Sequence, residues 1–225
     1  GVLRAGSEIA VDSADSSPEV AHSSTNIQEV GVDEPDIVKT DGKRIVAIVD
    51  GELRVVDATG DRLRPMGQLR FEDFWPQDMF LSGDNVVVFG QMHNSPVVAR
   101  SAINPSAGWT PITTLISVDI GQRKPRITRQ LHLDGSYVSS RLVDNAARIV
   151  LQSRPTGLEW SHPKGTGLRA ERRAEEQNRK IIRESTIDNW IPWFVLENGR
   201  GQLVGEGTLT PCDRIYHPPS NSGLR

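Results

Sequence analysis

Five acidic side chains lie close together in residues 24–42, and they are the first group in this chain that could bind a ligand. They are Glu29, Asp33, Glu34, Asp36 and Asp41. Calcium takes several carboxylate oxygens in a flexible geometry, so we predict a candidate Ca²⁺ site at Asp33, Asp36 and Asp41 and expect no other cofactor. The spacing differs from that of the EF-hand loop. The alternative is that these carboxylates cap turns and bond backbone amides while neighbouring Val and Ile side chains pack.

The tryptophans are the second group of candidate functional residues. A flat indole offers a large contact area at low entropic cost, so an exposed one can stack on a sugar or on a partner's side chain. We predict ligand or partner binding at four of the five tryptophans: Trp109, Trp160, Trp190 and Trp193. The alternative is that these rings cover the ends of sheets, because Trp is highly buried on average.

The sequence contains no recognisable catalytic motif, and we predict no catalytic residue. The five histidines are widely spaced, and neither an HExxH motif nor paired cysteines are present. There is no G-x-S-x-G nucleophile elbow. Ser136, Ser139 and Ser140 lie near Asp134 and Asp144, but a base would have to come from elsewhere, so we interpret them as turn and strand-edge serines.

Composition limits the class of partner. The formal net charge of -3 over 225 residues gives no broad attraction to nucleic acid, so we expect no nucleic-acid partner. No apolar run reaches the ~18 residues of a membrane helix. Cys212 is the single cysteine, which excludes an intrachain disulfide, and we expect it to be partly buried.

The elements that must position these residues are short strands. Residues 1–23 are polar and without periodicity, and we interpret them as a flexible tail. Residues 24–42 follow as a lead-in to the strands. Residues 44–49 and 52–57 are β-branched runs joined by Asp50-Gly51, which predicts a hairpin. A weaker strand follows at residues 65–71.

The same meander then recurs. Residues 78–89, 114–119 and 126–133 predict a second unit, after a polar insertion at 91–108, and residues 137–143 and 148–152 open a third. The spacing is about 40 and then about 60 residues, and recurring meanders of this length are typical of β-propeller blades. We therefore predict an all-β fold: antiparallel four-stranded meanders that form part of a β-propeller, with one inserted helix.

The helical insertion occupies about residues 155–193. Residues 168–184 carry acid–base pairs four positions apart, at Glu175/Arg179 and Glu176/Lys180, which favour a solvated helix. Residues 190–196 are apolar and aromatic, and we expect them to anchor the insertion onto the body. Residues 201–209 predict one further strand.

The lead-in also resembles a known family. Residues 25–42, Thr-Asn-Ile-Gln-Glu-Val-Gly-Val-Asp-Glu-Pro-Asp-Ile-Val-Lys-Thr-Asp-Gly, resemble the opening motif of secreted bacterial and archaeal proteins with a C-terminal β-propeller domain distantly similar to WD40 repeats. Residues 133–143 and 184–192 are also similar to this family. The resemblance covers residues 24–225 and implies a longer chain. Two to three blades cannot close a ring of about 4–8, so we expect residues 24–225 to be a partial propeller that is incomplete at its C-terminus.

The resemblance implies an exported protein, secreted or lipid-anchored, of unestablished activity. We predict a binding or scaffold module at the cell envelope that meets a protein or glycan ligand through top-face loops, chiefly the insertions at 91–108 and 155–193. The alternative is the N-terminal part of a propeller enzyme, a hydrolase or quinone-type dehydrogenase, whose site needs further blades. That assignment rests on analogy between folds.

Overall fold

The computed structural model describes residues 32–92, 111–122 and 124–216. Its secondary structure is mostly antiparallel β. In chain order the strands are β1 (Val32–Asp33), β2 (Val38–Thr40), β3 (Arg44–Val49), β4 (Glu52–Asp57), β5 (Arg64–Arg70), β6 (Phe74–Ser82), β7 (Asn85–Met92), β8 (Ile112–Asp119), β9 (Arg126–Asp134), β10 (Ser136–Val143), β11 (Ala146–Gln152), β12 (Trp193–Asn198) and β13 (Leu203–Thr208). The helix α1 is Leu168–Glu184. Within these ranges no helix is both long and apolar enough to span a membrane.

The first sheet has the strand order β2-β3-β4-β5. Strands β3 and β4 form the predicted hairpin with the predicted limits. Asp50 and Gly51 have φ values of 53° and 76°. Two central residues with positive φ are typical of a type I′ turn, whose twist matches that of the paired strands. Arg64–Arg70 is the third strand of this meander, one residue earlier at each end than predicted.

The second sheet contains the next meander, β6-β7-β8-β9, and two strands from beyond the insertion. Its order is β13-β12-β9-β8-β7-β6. Strand β12 lies antiparallel to β9, with Val195 opposite His132. The sequence predicted that the insertion returns to the body, and the structure identifies the outer edge of the second sheet as the place where it attaches.

The third sheet has the order β1-β10-β11. Strands β10 and β11 meet at Asp144 and Asn145, whose φ values of 49° and 62° again permit a tight two-residue turn. Both strands lie where the sequence predicted a third unit.

The core lies on both faces of the second sheet. Neighbouring residues of one strand point to opposite faces, and here both faces are apolar. Met79 packs with Val46 and Leu53 of the first sheet, whereas Phe80 packs with Tyr137 and its neighbours of the third sheet. The second sheet is therefore held between the other two.

The lead-in contacts all three sheets. Val32 pairs with Val143 on the third sheet. The backbone of Asp36 exchanges two hydrogen bonds with Met79 on the second sheet, at 3.2 and 3.0 Å. Strand β2 then pairs with β3 of the first sheet. Nine residues of chain thus join three sheet edges.

A buried cation fixes the shape of this segment. Lys39 is 6% exposed, and its Nζ donates to Asp33 Oδ1 at 2.7 Å and to the carbonyl oxygen of Glu34. A buried ammonium group is tolerated only when it is paired. The ion pair holds β2 to the end of β1.

The helix of the insertion carries ion pairs between its own side chains. Helix α1 has the predicted limits, and Glu175 pairs with Arg179 at 2.7 Å. Lys180 pairs with Glu184 at 3.8 Å and not with Glu176 as predicted; both acids lie four positions from Lys180, one on each side of it in the chain.

Cys212 corrects one expectation from the sequence. It is exposed, because it lies in a short 3₁₀ turn, Cys212–Arg214, beyond the last described strand and outside the sheets.

Replacing the buried ammonium group should destabilise the fold. We expect Lys39→Met, which keeps the apolar stem, to lower the free energy of unfolding by about 2 kcal/mol, because two hydrogen bonds to a charged group are lost. Lys43→Met, the same change at an exposed site, should cost less than about 0.5 kcal/mol. Urea denaturation followed by circular dichroism measures both. Equal effects would contradict a structural role for Lys39.

Candidate functional site

A cavity of about 610 Å³ lies where strand ends of the second and third sheets meet. The described residues lining it are two prolines, one glycine, one tryptophan and four polar residues: Pro111, Asp134, Gly135, Ser136, Gln152, Arg154, Pro155 and Trp160. They come from the end of β9, the start of β10, the end of β11 and the first part of the insertion. Pockets of this size hold small ligands.

The floor of the cavity is rigid backbone. Gly135 joins β9 to β10 with a φ of 123°, a conformation that strongly favours glycine. Its N–H donates to the carbonyl oxygen of Pro111 at 2.9 Å, and its own carbonyl accepts from Thr113 Oγ1 at 2.8 Å. An added Cβ would lie 3.0 Å from the carbonyl oxygen of Gln152. The site therefore requires glycine at this position.

The carboxyl of Asp134, which lines the cavity, has a raised pKa. It is 3% exposed, and burial raises its pKa to about 6, because removal from water disfavours the charged form. This carboxyl changes its ionisation near neutral pH, so it can donate a hydrogen bond when protonated or accept two when ionised.

Hydrogen bonds fix the backbone before and after Trp160 in the chain. On one side, Thr156 donates its N–H to the carbonyl of Asn189 at 2.8 Å and accepts from Asn189 Nδ2 at 2.9 Å. On the other, Asn178 of α1 accepts from the N–H of Ser161 at 2.7 Å and donates to its carbonyl at 3.0 Å. The indole is 42% exposed, so a fixed backbone presents an open ring.

The structure separates the three carboxylates predicted to bind calcium. Asp33 binds Lys39, and Asp36 Oδ1 accepts from the N–H of Ile37 at 2.6 Å. Glu29 lies outside the described residues. Among residues 32–92, 111–122 and 124–216, no three His, Cys, Asp or Glu side chains are grouped to hold a metal ion. The calcium site stays a prediction.

Asp41 is engaged with Arg44. Burial by itself raises the pKa of Asp41, but hydrogen bonds from the backbone and guanidinium of Arg44 and from the backbone of Lys43 outweigh it and lower that pKa. Arg44 also reaches Asp84 in the turn between β6 and β7, at 2.7 Å. The ion pair between Arg44 and Asp84 therefore ties the first sheet to the second, and Asp41 holds Arg44 in place.

The other predicted tryptophans have different surroundings. Trp193 is 2% exposed and packs in a small apolar cluster with Val195 and Ile112, so it offers no surface to a ligand in this conformation. Trp190 is 43% exposed, and its Nε1 donates to Ser185 Oγ at 2.8 Å. Trp109 lies outside the described residues, as does most of the 91–108 insertion.

A second polar group is buried between strands. Thr114 Oγ1 lies 3.0 Å from His132 Nδ1, and His132 Nε2 lies 2.8 Å from Glu197 Oε1. The order hydroxyl, imidazole, carboxylate resembles a nucleophile relay, but Thr114 and His132 are 0% exposed and no substrate can reach them. Burial lowers the pKa of His132 and the hydrogen bond to Glu197 opposes this. The group therefore binds β8, β9 and β12 together.

Sequence reasoning selected Trp160 and missed three of its neighbours in the cavity. Asp134, Gln152 and Arg154 come from strand ends that are distant in sequence, and only sheet pairing brings them together. The one local signal is Asp134-Gly135 at the end of a β run, which also fits an ordinary turn.

The pKa of Asp134 gives a test with a defined sign. Between about pH 4 and pH 6 the folded protein holds a proton that the unfolded chain has lost, so this residue makes the free energy of unfolding fall as pH rises. We expect Asp134→Asn to remove this fall and to be more stable than wild type at pH 7.5, by up to about 3 kcal/mol. Denaturant titration at several pH values measures the difference between the two proteins, in which the contribution of His132 cancels.

Asp50→Asn is the matched control for this substitution. Asp50 lies in an exposed turn at a positive φ that Asn also tolerates. Its stability should follow that of wild type at every pH. A constant loss of stability in Asp134→Asn from pH 5 to pH 7.5 would contradict the raised pKa.

A family model described as Beta propeller domain matches residues 22–224. No curated protein and no solved structure matches the chain. The match spans nearly the whole chain and agrees with the antiparallel sheets and the single helix of the described residues. The chain therefore belongs to the beta propeller domain family, and its meanders form part of a β-propeller.

Proposed function

We propose that this domain is a carbohydrate-binding module and that the cavity at Asp134 and Trp160 is its binding site. The observation that carries the proposal is the composition of the lining: an exposed indole beside carboxyl, amide, hydroxyl and guanidinium groups. Sugars present both an apolar ring face and many hydroxyl groups. An aromatic ring offers the apolar contact, and the polar side chains offer directional hydrogen bonds to hydroxyls.

Rigidity supports the same proposal. Ordering a flexible loop on binding costs affinity, and a site that is already ordered avoids this cost. The hydrogen bonds of Asn178 and Asn189 fix the backbone beside Trp160, and Gly135 is held by Pro111 and Thr113. The cavity is therefore suited to recognition without rearrangement of its backbone.

Binding is favoured over hydrolysis. Glycoside hydrolysis uses two carboxyl groups that flank the scissile bond. Among the described residues that line the cavity, Asp134 is the one carboxyl. A single acid with a raised pKa suits a hydrogen-bonding partner for a sugar hydroxyl.

We also propose that the module acts outside the cell or at the cell envelope. The support is the resemblance of residues 25–42 to secreted bacterial and archaeal proteins. Fractionation of native cells, with intact-mass analysis of the product, tests this location. Recovery of the mature protein from the cytosol alone would contradict it.

Removing the indole should weaken sugar binding. We expect Trp160→Ala to reduce affinity for a bound oligosaccharide about tenfold or more, because the apolar contact with one ring face is lost. The measurement is calorimetric titration of the whole protein with the best binders from an array of neutral and acidic oligosaccharides. Circular dichroism checks that the variant is folded.

Trp190→Ala is the matched comparison, since the two indoles are equally exposed and Trp190 does not line the cavity. It should bind within about twofold of wild type. Equal losses in both variants would contradict the cavity as the site. Release of reducing ends by wild type, abolished in Asp134→Asn, would assign hydrolysis instead.

A further inference from the structure

A second concave surface adjoins the cavity. A hollow of about 740 Å³ lies between one face of α1, from Ala170 to Ile181, and residues 159–164 of the insertion. Trp160 lines both the hollow and the cavity. A ligand stacked on this indole is therefore adjacent to both surfaces, and a chain of sugars could occupy them in succession.

The hollow differs from the cavity in charge. It is lined by the cations Lys164 and Arg173, together with His162, against the single acid Glu159. The whole chain has a net charge of -3, so a local excess of cations does not follow from its composition.

The two cations are also available for a ligand. Lys164 and Arg173 are exposed, and no ion pair joins either of them to an acid in the described part of the chain. By contrast, Arg179 and Lys180, further along the same helix, are paired with Glu175 and Glu184. A guanidinium and an ammonium group that line one hollow without an acidic partner suit a carboxylate or sulfate, which arginine can bind through two parallel hydrogen bonds.

We infer that the ligand is an acidic glycan, with one sugar ring stacked on Trp160 and the anionic group of a neighbouring sugar bound by Arg173 and Lys164 in the hollow. This inference rests on the proposed function and names its substrate class. Asp134 and Arg154 contact the uncharged hydroxyl groups on the other side of the indole. The cavity then binds the uncharged part of one sugar, and the hollow binds the anionic group of its neighbour.

The test uses two probes with the same sugar backbone: an oligogalacturonate, which is anionic, and its full methyl ester, which is uncharged. A sulfated oligosaccharide is a third probe that distinguishes sulfate from carboxylate. We expect the whole protein to bind an acidic probe at least about tenfold more tightly than the ester, with an affinity that falls as salt concentration rises.

Arg173→Gln and Lys164→Gln should each remove most of this preference and leave affinity for the ester within about twofold. Arg172→Gln is the control, because it removes the same charge from the same exposed helix at a position that does not line the hollow. It should retain the preference.

Each other outcome overturns a defined claim. Equal affinity for acid and ester, still lost in Trp160→Ala, overturns the acidic ligand and leaves the carbohydrate site in place. An equal loss in Arg172→Gln shows general attraction by the helix and overturns the hollow as the site. No binding of any array member or probe overturns the proposed function and the inference together.

Discussion

The buried ammonium group of Lys39 holds the lead-in in the shape that lets it reach three sheets. Its partners are Asp33, the last residue of β1, and the carbonyl of Glu34, the next residue in the chain. Lys39 itself belongs to β2. The ion pair thus bends the lead-in across the edges of the third, second and first sheets in turn. Apart from β1 in the third sheet and β12 and β13 in the second, the strands of each sheet are neighbours in sequence and can pair locally. The mutual arrangement of the sheets depends on this one non-local segment and on the two apolar clusters on either face of the second sheet.

The candidate binding surface uses that arrangement. Asp134 and Gln152 end strands in two different sheets, so their positions relative to one another depend on how those sheets pack. Trp160 then comes from the insertion, which leaves the third sheet after β11 and returns to the second at β12. The buried group of Thr114, His132 and Glu197 fixes the returning end of the insertion, because it joins β12 to β9 and β8. A fixed attachment at each end makes the insertion part of the scaffold.

Local sequence determines most of the strands and the helix here. The apolar runs of β3 and β4, with Asp50-Gly51 between them, predict a hairpin with the observed limits. The acid–base spacing of residues 168–184 similarly predicts α1 with its observed limits. The partner of β12 could not be predicted in this way, because pairing with β9 depends on which sheet edge is open. The lining of the cavity could not be predicted in full for the same reason. Trp160 could be selected as an aromatic residue in a loop, but Asp134 is identified as a candidate site residue only once its burial and raised pKa are known.

The pairing of Val32 with Val143 has a consequence for the order of folding. These residues are about 110 positions apart, and closing so long a loop is entropically costly and slow. During synthesis the first sheet and the β6-β7-β8-β9 meander can form while β10 is still within the ribosome, because the N-terminal part of a chain emerges first. Strand β1 cannot pair until β10 has emerged from the ribosome. Strand β1 is thus the earliest described strand to be made and among the last to pair, although β2 of the same lead-in belongs to the first sheet and can pair early.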